Sequence, residues 1–194
     1  FFFIGVILWL IYFFGLPRPL FLYVLGHELT HAFFVLLCGG KISEFKVKSG
    51  GGHIVTNKNN VLISLSPYFI AFYSVILIAL FGITGIFVDN LFEYHPNVLF
   101  WGKIGFSWSW ILYMSVGITW CFHLTFTSWM ITKNQPDLKQ NGTFFSLVFI
   151  YFINLMILSI TLILVSNEIS LTGFVESLLD NGSKLINQAS RILR

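Results

Sequence analysis

Apolar residues run unbroken over 1–16 (FFFIGVILWLIYFFGL) and stop at Pro17, Arg18 and Pro19, which cannot continue a helix and make a tight connection. A second apolar run, 20–38, has 19 residues, about the length a helix needs to cross the hydrocarbon core of a bilayer. Gly39 and Gly40 end it. The pattern then changes period. Ile42 to Lys48 alternates apolar and polar residues, Ser49-Gly50-Gly51-Gly52 turns, and His53 to Thr56 extends again. This predicts a short β-hairpin, polar on one face, within a 39–60 loop.

Residues 61–65 are apolar but too short to cross. Ser66-Pro67 reads as an N-cap with Pro at the first helical position, opening a third span over 67–88. A polar loop at 89–97 precedes an apolar stretch, 98–131, that holds a fourth span with an oblique or interfacial lead-in. Residues 132–142 (TKNQPDLKQNG) form a polar loop, 143–166 a fifth span, and 167–194 an amphipathic tail that reads as a surface helix. The expected fold is an all-α polytopic membrane protein with about five transmembrane helices and a β-hairpin between the second and third. Its organisation is one membrane domain, 1–166, and a tail, 167–194.

Composition agrees with this pattern. The chain is 56% hydrophobic, and its 10% charged residues compare with roughly 25% in an average soluble domain. A soluble protein of 194 residues could not bury so much apolar surface, so the lipid bilayer is its expected solvent. The 23 Phe suit lipid-facing positions, and the 7 Tyr and 6 Trp suit the headgroup level. A net charge of +3, scattered over loops, argues against a nucleic-acid partner. Cys38 and Cys121 form no CxxC and read as small buried hydrophobes. The sequence opens at Phe1 with no initiator Met, which implies a trimmed or processed chain.

Basic residues set the expected orientation. The 39–60 and 132–142 loops share a side and carry Lys41, Lys46, Lys48, Lys58, Lys133 and Lys139. The opposite loops carry Arg18, with Lys103 just inside a span. The hairpin side is therefore expected to face the cytoplasm, although Lys184, Arg191 and Arg194 put basic residues on the other side as well.

The second span contains His27-Glu28-Leu29-Thr30-His31, an HExxH. Residues four apart on a helix share a face, so both imidazoles can offer a nitrogen to one tetrahedral zinc while Glu28 reaches its water as general base. Glu28 is also the only acidic residue in the five apolar spans. An acid and two histidines inside a span are costly unless they are paired or bound to something. The bland alternative is a helix-packing cluster.

A catalytic zinc usually takes a third protein ligand, and His53, Asp89, Glu93, His95, His123 and Asp137 are the candidates. His31 lies seven residues from Cys38, about 10 Å from the cytoplasmic end of its span. The ligand should come from that face, which removes Asp89, Glu93 and His95 and leaves His53, His123 and Asp137. His123, about two turns below the same surface, can be a ligand, a supporting hydrogen-bond partner or an oxyanion stabiliser. His53, beside three glycines, reads as solvated or structural.

The HExxH, the Gly39-Gly40 that follows its helix and Gln135-Pro136-Asp137 together resemble the site-2 protease family of intramembrane zinc metallopeptidases, in its compact bacterial-type branch. Leu138 stands where that family's Asp is followed by Gly. The resemblance, over about 20–145, implies one zinc per chain held by His27, His31 and Asp137, with Glu28 as base. It implies a membrane-spanning protein or peptide as substrate and a place in the bacterial cytoplasmic membrane, with the site nearer the cytoplasmic face. A regulatory membrane partner is a further expectation. The hairpin, through Val47 and Ile54, is expected to bind an extended substrate by edge pairing. The alternatives are a non-proteolytic membrane protein that binds or passes a metal ion, and a catalytically silent relative acting as chaperone or receptor.

Overall fold

The computed structural model describes residues 1–88, 107–133, 135–165 and 171–192. The loop expected at 89–97, with Asp89, Glu93 and His95, lies outside the described residues, as do Lys103, the 166–167 boundary and Arg194.

Helix α1 (Phe2–Gly15) ends before Pro17, and α2 (Leu20–Leu37) begins directly after Pro19. Gly39, at φ +71°, closes α2, and the Gly40 N–H donates to the Val35 carbonyl at 2.8 Å. A left-handed residue just past the last turn suits glycine and satisfies carbonyls the helix leaves open. Strands β1 (Ile42–Lys48) and β2 (Gly51–Thr56) pair antiparallel, with Lys46 opposite His53 and Val47 opposite Gly52. The turn is tighter than expected, since Gly51 and Gly52 belong to the second strand.

The expected start of the third span is corrected. Short helix α3 (Val61–Leu65), capped by the Asn60 side chain accepting from the Ile63 N–H at 2.8 Å, runs into a 3₁₀ turn at Ser66–Tyr68. Helix α4 (Phe72–Phe87) starts only after that turn, and the two parts meet at 82°. Ser66 closes α3 instead of opening a helix: its hydroxyl donates back to the Ile63 carbonyl, while its own carbonyl accepts the Phe69 and Ile70 N–H groups. Pro67, without an N–H, breaks the ladder there.

Helix α5 (Trp108–Ile131) packs along α1. Side chains at two glycines would prevent this approach, because Gly5 lies against the Met114 carbonyl and Gly117 against the Phe2 carbonyl. Small residues let helices approach backbone to backbone. An aromatic core of Trp9, Phe13, Tyr23, Phe122 and Phe126 joins α1, α2 and α5, and the Tyr23 ring stacks on Phe126 at 5.0 Å. Helix α6 (Pro136–Gln140) is one turn long, with Pro at its start and Asp137 in its first turn. Helices α7 (Thr143–Val165) and α8 (Leu171–Ile192) follow.

The described residues are mostly helical with one two-stranded hairpin, as expected. Among the described residues the spans are fewer than the five expected: two helices are individually long and apolar enough to cross a membrane, α2 and the Thr143–Ile160 part of α7, and a third is added if the bent α3–α4 pair is one broken span. The 14 described residues of α1 run about 21 Å. Helix α5 has 24 residues, but Trp, Ser, Thr and His123 dilute its apolarity.

The chain divides into two compact units, Phe1–Ser146 and Leu147–Arg194. The first holds α1 to α6 and the hairpin. In the second, α8 exposes an apolar row that includes Val175, Leu178, Leu179 and Ile186.

Candidate metal centre

His27 and His31, one turn apart on α2, face the same cleft, of about 390 Å³, as Glu28 and Asp137. Asp137 reaches it because α6 is tied down on three sides. The Leu138 side chain is 2% exposed, the Asn141 amide donates to Ser64 Oγ at 2.6 Å, and Ser146 Oγ donates to the Leu138 carbonyl at 3.0 Å. Leu138 therefore anchors the turn that carries Asp137.

Three atoms converge. His27 Nε2 lies 3.2 Å from His31 Nε2 and 3.3 Å from Asp137 Oδ2, and His31 Nε2 lies 3.5 Å from the same oxygen. His31 Nδ1 lies 2.7 Å from the Ile63 carbonyl. A carbonyl only accepts, so the ring proton sits on Nδ1, and the Nε2 of the neutral ring carries a lone pair. Burial opposes the charge on Asp137, but hydrogen bonding and attraction from His27 and His31 outweigh it and hold the carboxyl below its usual range. An ionised carboxylate facing two imidazole nitrogens needs a shared cation, either a proton on one ring or a metal ion.

The edges of the triangle, 3.2, 3.3 and 3.5 Å, put all three donor atoms within reach of a single ion. Among the described residues, His27, His31 and Asp137 form a group that can hold a metal ion.

Glu28 is buried at the edge of this group, under β2. A Cβ on Gly52 would lie 2.6 Å from Glu28 Cγ and 2.9 Å from its Oε1, so a side chain there would displace that carboxylate. Ile54 lines the cleft, whereas Val47 packs against the aromatic core. His53 also borders the cleft but is half exposed and pairs with Glu44 at 3.4 Å. His123 is buried outside the ligand group, bonded to the backbone of Tyr68, and borders a separate, smaller cavity.

Two contributors were not singled out from sequence. Tyr68 donates its hydroxyl to Asp137 Oδ2 at 3.1 Å and is 1% exposed. The signal for it was a phenol directly after Ser66-Pro67, since a buried Tyr hydroxyl needs an acceptor. The other is the Ile63 carbonyl, which fixes the His31 ring and which no side-chain pattern reports.

The chain matches no protein-family model, no curated protein and no solved structure.

Proposed function

We propose that this chain is an intramembrane zinc metalloprotease of site-2 protease type, which hydrolyses a peptide bond in or next to a membrane-spanning segment of a substrate protein. The observation that carries the reading is the triangle of His27, His31 and Asp137, with the buried Glu28 in the same cleft. His27, His31 and Asp137 would hold one zinc. When bound, zinc supplies Lewis acidity, polarising a carbonyl and making water a stronger acid.

The protein's own groups do the rest. Glu28 takes a proton from the attacking water. As the acyl carbon gains the water oxygen and the C–N bond breaks, Glu28 returns that proton to the leaving amine. Tyr68 holds the Asp137 carboxylate by one oxygen, and the Ile63 carbonyl fixes the His31 ring, so the ligand set is oriented before substrate arrives. Strand β2 borders the cleft over Gly51 to Ile54 and offers backbone groups to an extended peptide. Pairing there would replace the internal hydrogen bonds of an unwound substrate helix. The excess of lysines on the 39–60 and 132–142 loops supports a site that faces the cytoplasm, and the resemblance to site-2 proteases supports a bacterial inner membrane.

The test uses purified full chain in detergent, measuring zinc content and cleavage of membrane-spanning peptides for wild type and Glu28→Gln. Both proteins should hold about one zinc, because Glu28 is not a ligand. The variant should lose cleavage by about 10²–10⁴-fold. Wild type without zinc would overturn the reading, and equal cleavage by both proteins would remove Glu28 from the chemistry. Zinc bound equally with every peptide intact would favour a metal-binding role without proteolysis.

A further inference from the structure

The two histidine ligands are held differently. His31 has a short hydrogen bond at its outer nitrogen, 2.7 Å to the Ile63 carbonyl. Among the described residues, His27 Nδ1 has only the Tyr23 hydroxyl, at 3.5 Å, at the limit of a hydrogen bond. Metal-ligating histidines almost always donate their second N–H to a carboxylate, a carbonyl or water, which fixes the ring. A second imbalance lies close by. His123, 8% exposed, bonds the backbone of Tyr68, while its Nε2 is buried and has no hydrogen-bond partner among the described residues. A buried polar nitrogen in this state has lost its hydration without gaining a partner.

Both rings border one cavity of about 20 Å³, with Tyr23, Gly26 and Thr30 also in its wall. This volume suits a single water, which needs about 10–15 Å³ and two to four polar partners. His27 borders this cavity as well as the main cleft. Its Nε2 is committed to the ligand group, which leaves the Nδ1 side of the ring for the cavity. The Thr30 hydroxyl donates to the Gly26 carbonyl at 2.7 Å and keeps a lone pair to accept from a water.

We infer that one ordered water fills this cavity and links His27 Nδ1–H to His123 Nε2, which makes His123 a positioning residue for the metal ligand His27. The water accepts from His27 and donates to His123, whose Nδ1–H is spent on the Tyr68 carbonyl. The chain satisfies both nitrogens and sets the tautomer that turns the His27 Nε2 lone pair towards the metal. It rests on the metal-site reading above and not on proteolysis.

The test is cobalt(II) binding by the full chain in detergent, followed through the visible d–d absorption of the ion, for wild type and three variants at position 123. His123→Gln keeps an acceptor near Nε2. His123→Asn keeps a donor near Nδ1 for Tyr68 but withdraws the acceptor, and His123→Leu removes both. Gln should bind cobalt within about threefold of wild type with an unchanged spectrum. Asn and Leu should bind about 10–100-fold more weakly, with a shifted band. Thermal midpoints of the metal-free proteins are measured alongside. Equal affinities in all four proteins, equal losses in Gln and Asn, or losses that only track the midpoints would each overturn the water link. A wild type that binds no cobalt would overturn the metal site itself, and this inference with it.

Discussion

Helices α2 and α7 are both long and apolar enough to cross a membrane, yet 39% of the eighteen-residue window in α2 is buried inside the protein against 11% in α7. The buried helix is the less hydrophobic one, with a mean hydropathy of 1.6 against 2.2. Composition alone would rank them the other way. The difference follows from what each helix faces. Helix α7 presents Phe144, Phe152 and Leu158 outward, where a bilayer can solvate them. Helix α2 carries His27, Glu28, Thr30 and His31, which lipid cannot solvate, so neighbouring elements must cover and partner them. Polarity in a span therefore marks the helix that the rest of the first unit is built around.

The largest expected effect strikes at this contrast. Asp137→Ala or His31→Ala should weaken zinc binding by more than about 100-fold, measured by competition with a chelating dye, because each removes one of three ligands. Asn154→Leu, which removes a polar side chain from α7, should leave zinc binding unchanged. Loss of zinc in the Asn154 variant would end the distinction between the two helices.

The next effect is smaller. Gly52→Val puts a side chain where Glu28 now lies and should lower peptide cleavage by about 10–100-fold with zinc content retained, since the base moves and the ligands do not. Zinc lost together with cleavage would mean the hairpin supports the ligands rather than Glu28. The smallest effect is a matched pair. Val35→Ala, at a fully buried site on α2, should cost about 1 kcal/mol in unfolding, while Val148→Ala, half exposed on α7, should stay within about 0.5 kcal/mol. Equal costs would show that α7 is packed as tightly as α2.

Much of the site was legible because it is local. The four-residue spacing of His27 and His31 puts them on one helical face, Gly39 ends that helix, and the period-two alternation at 42–48 makes a strand. The 3₁₀ break at 66–68 was misread as a helix start, because Ser-Pro serves equally well as an N-cap and as an interruption, and only the neighbouring packing selects between them. Among the described residues the spans fall short of five, because α5 is diluted by polar side chains and the third run is sharply bent into α3 and α4.

The sequence by itself determined the apolar helices, the hairpin and the pairing of two imidazoles with one carboxylate on a single helix turn, because each depends on backbone geometry within a few residues. The residues alone left the third group open between His53, His123 and Asp137, and the family resemblance pointed to Asp137. Only tertiary structure puts an Asp137 oxygen beside both imidazoles, through the packing of Leu138 and the Asn141–Ser64 hydrogen bond, while His53 pairs with Glu44 and His123 borders a second cavity with His27. It also laid Gly52 over Glu28. The physical reason is that contacts between residues far apart in sequence depend on how whole elements fit together, and no periodicity along the chain encodes that fit.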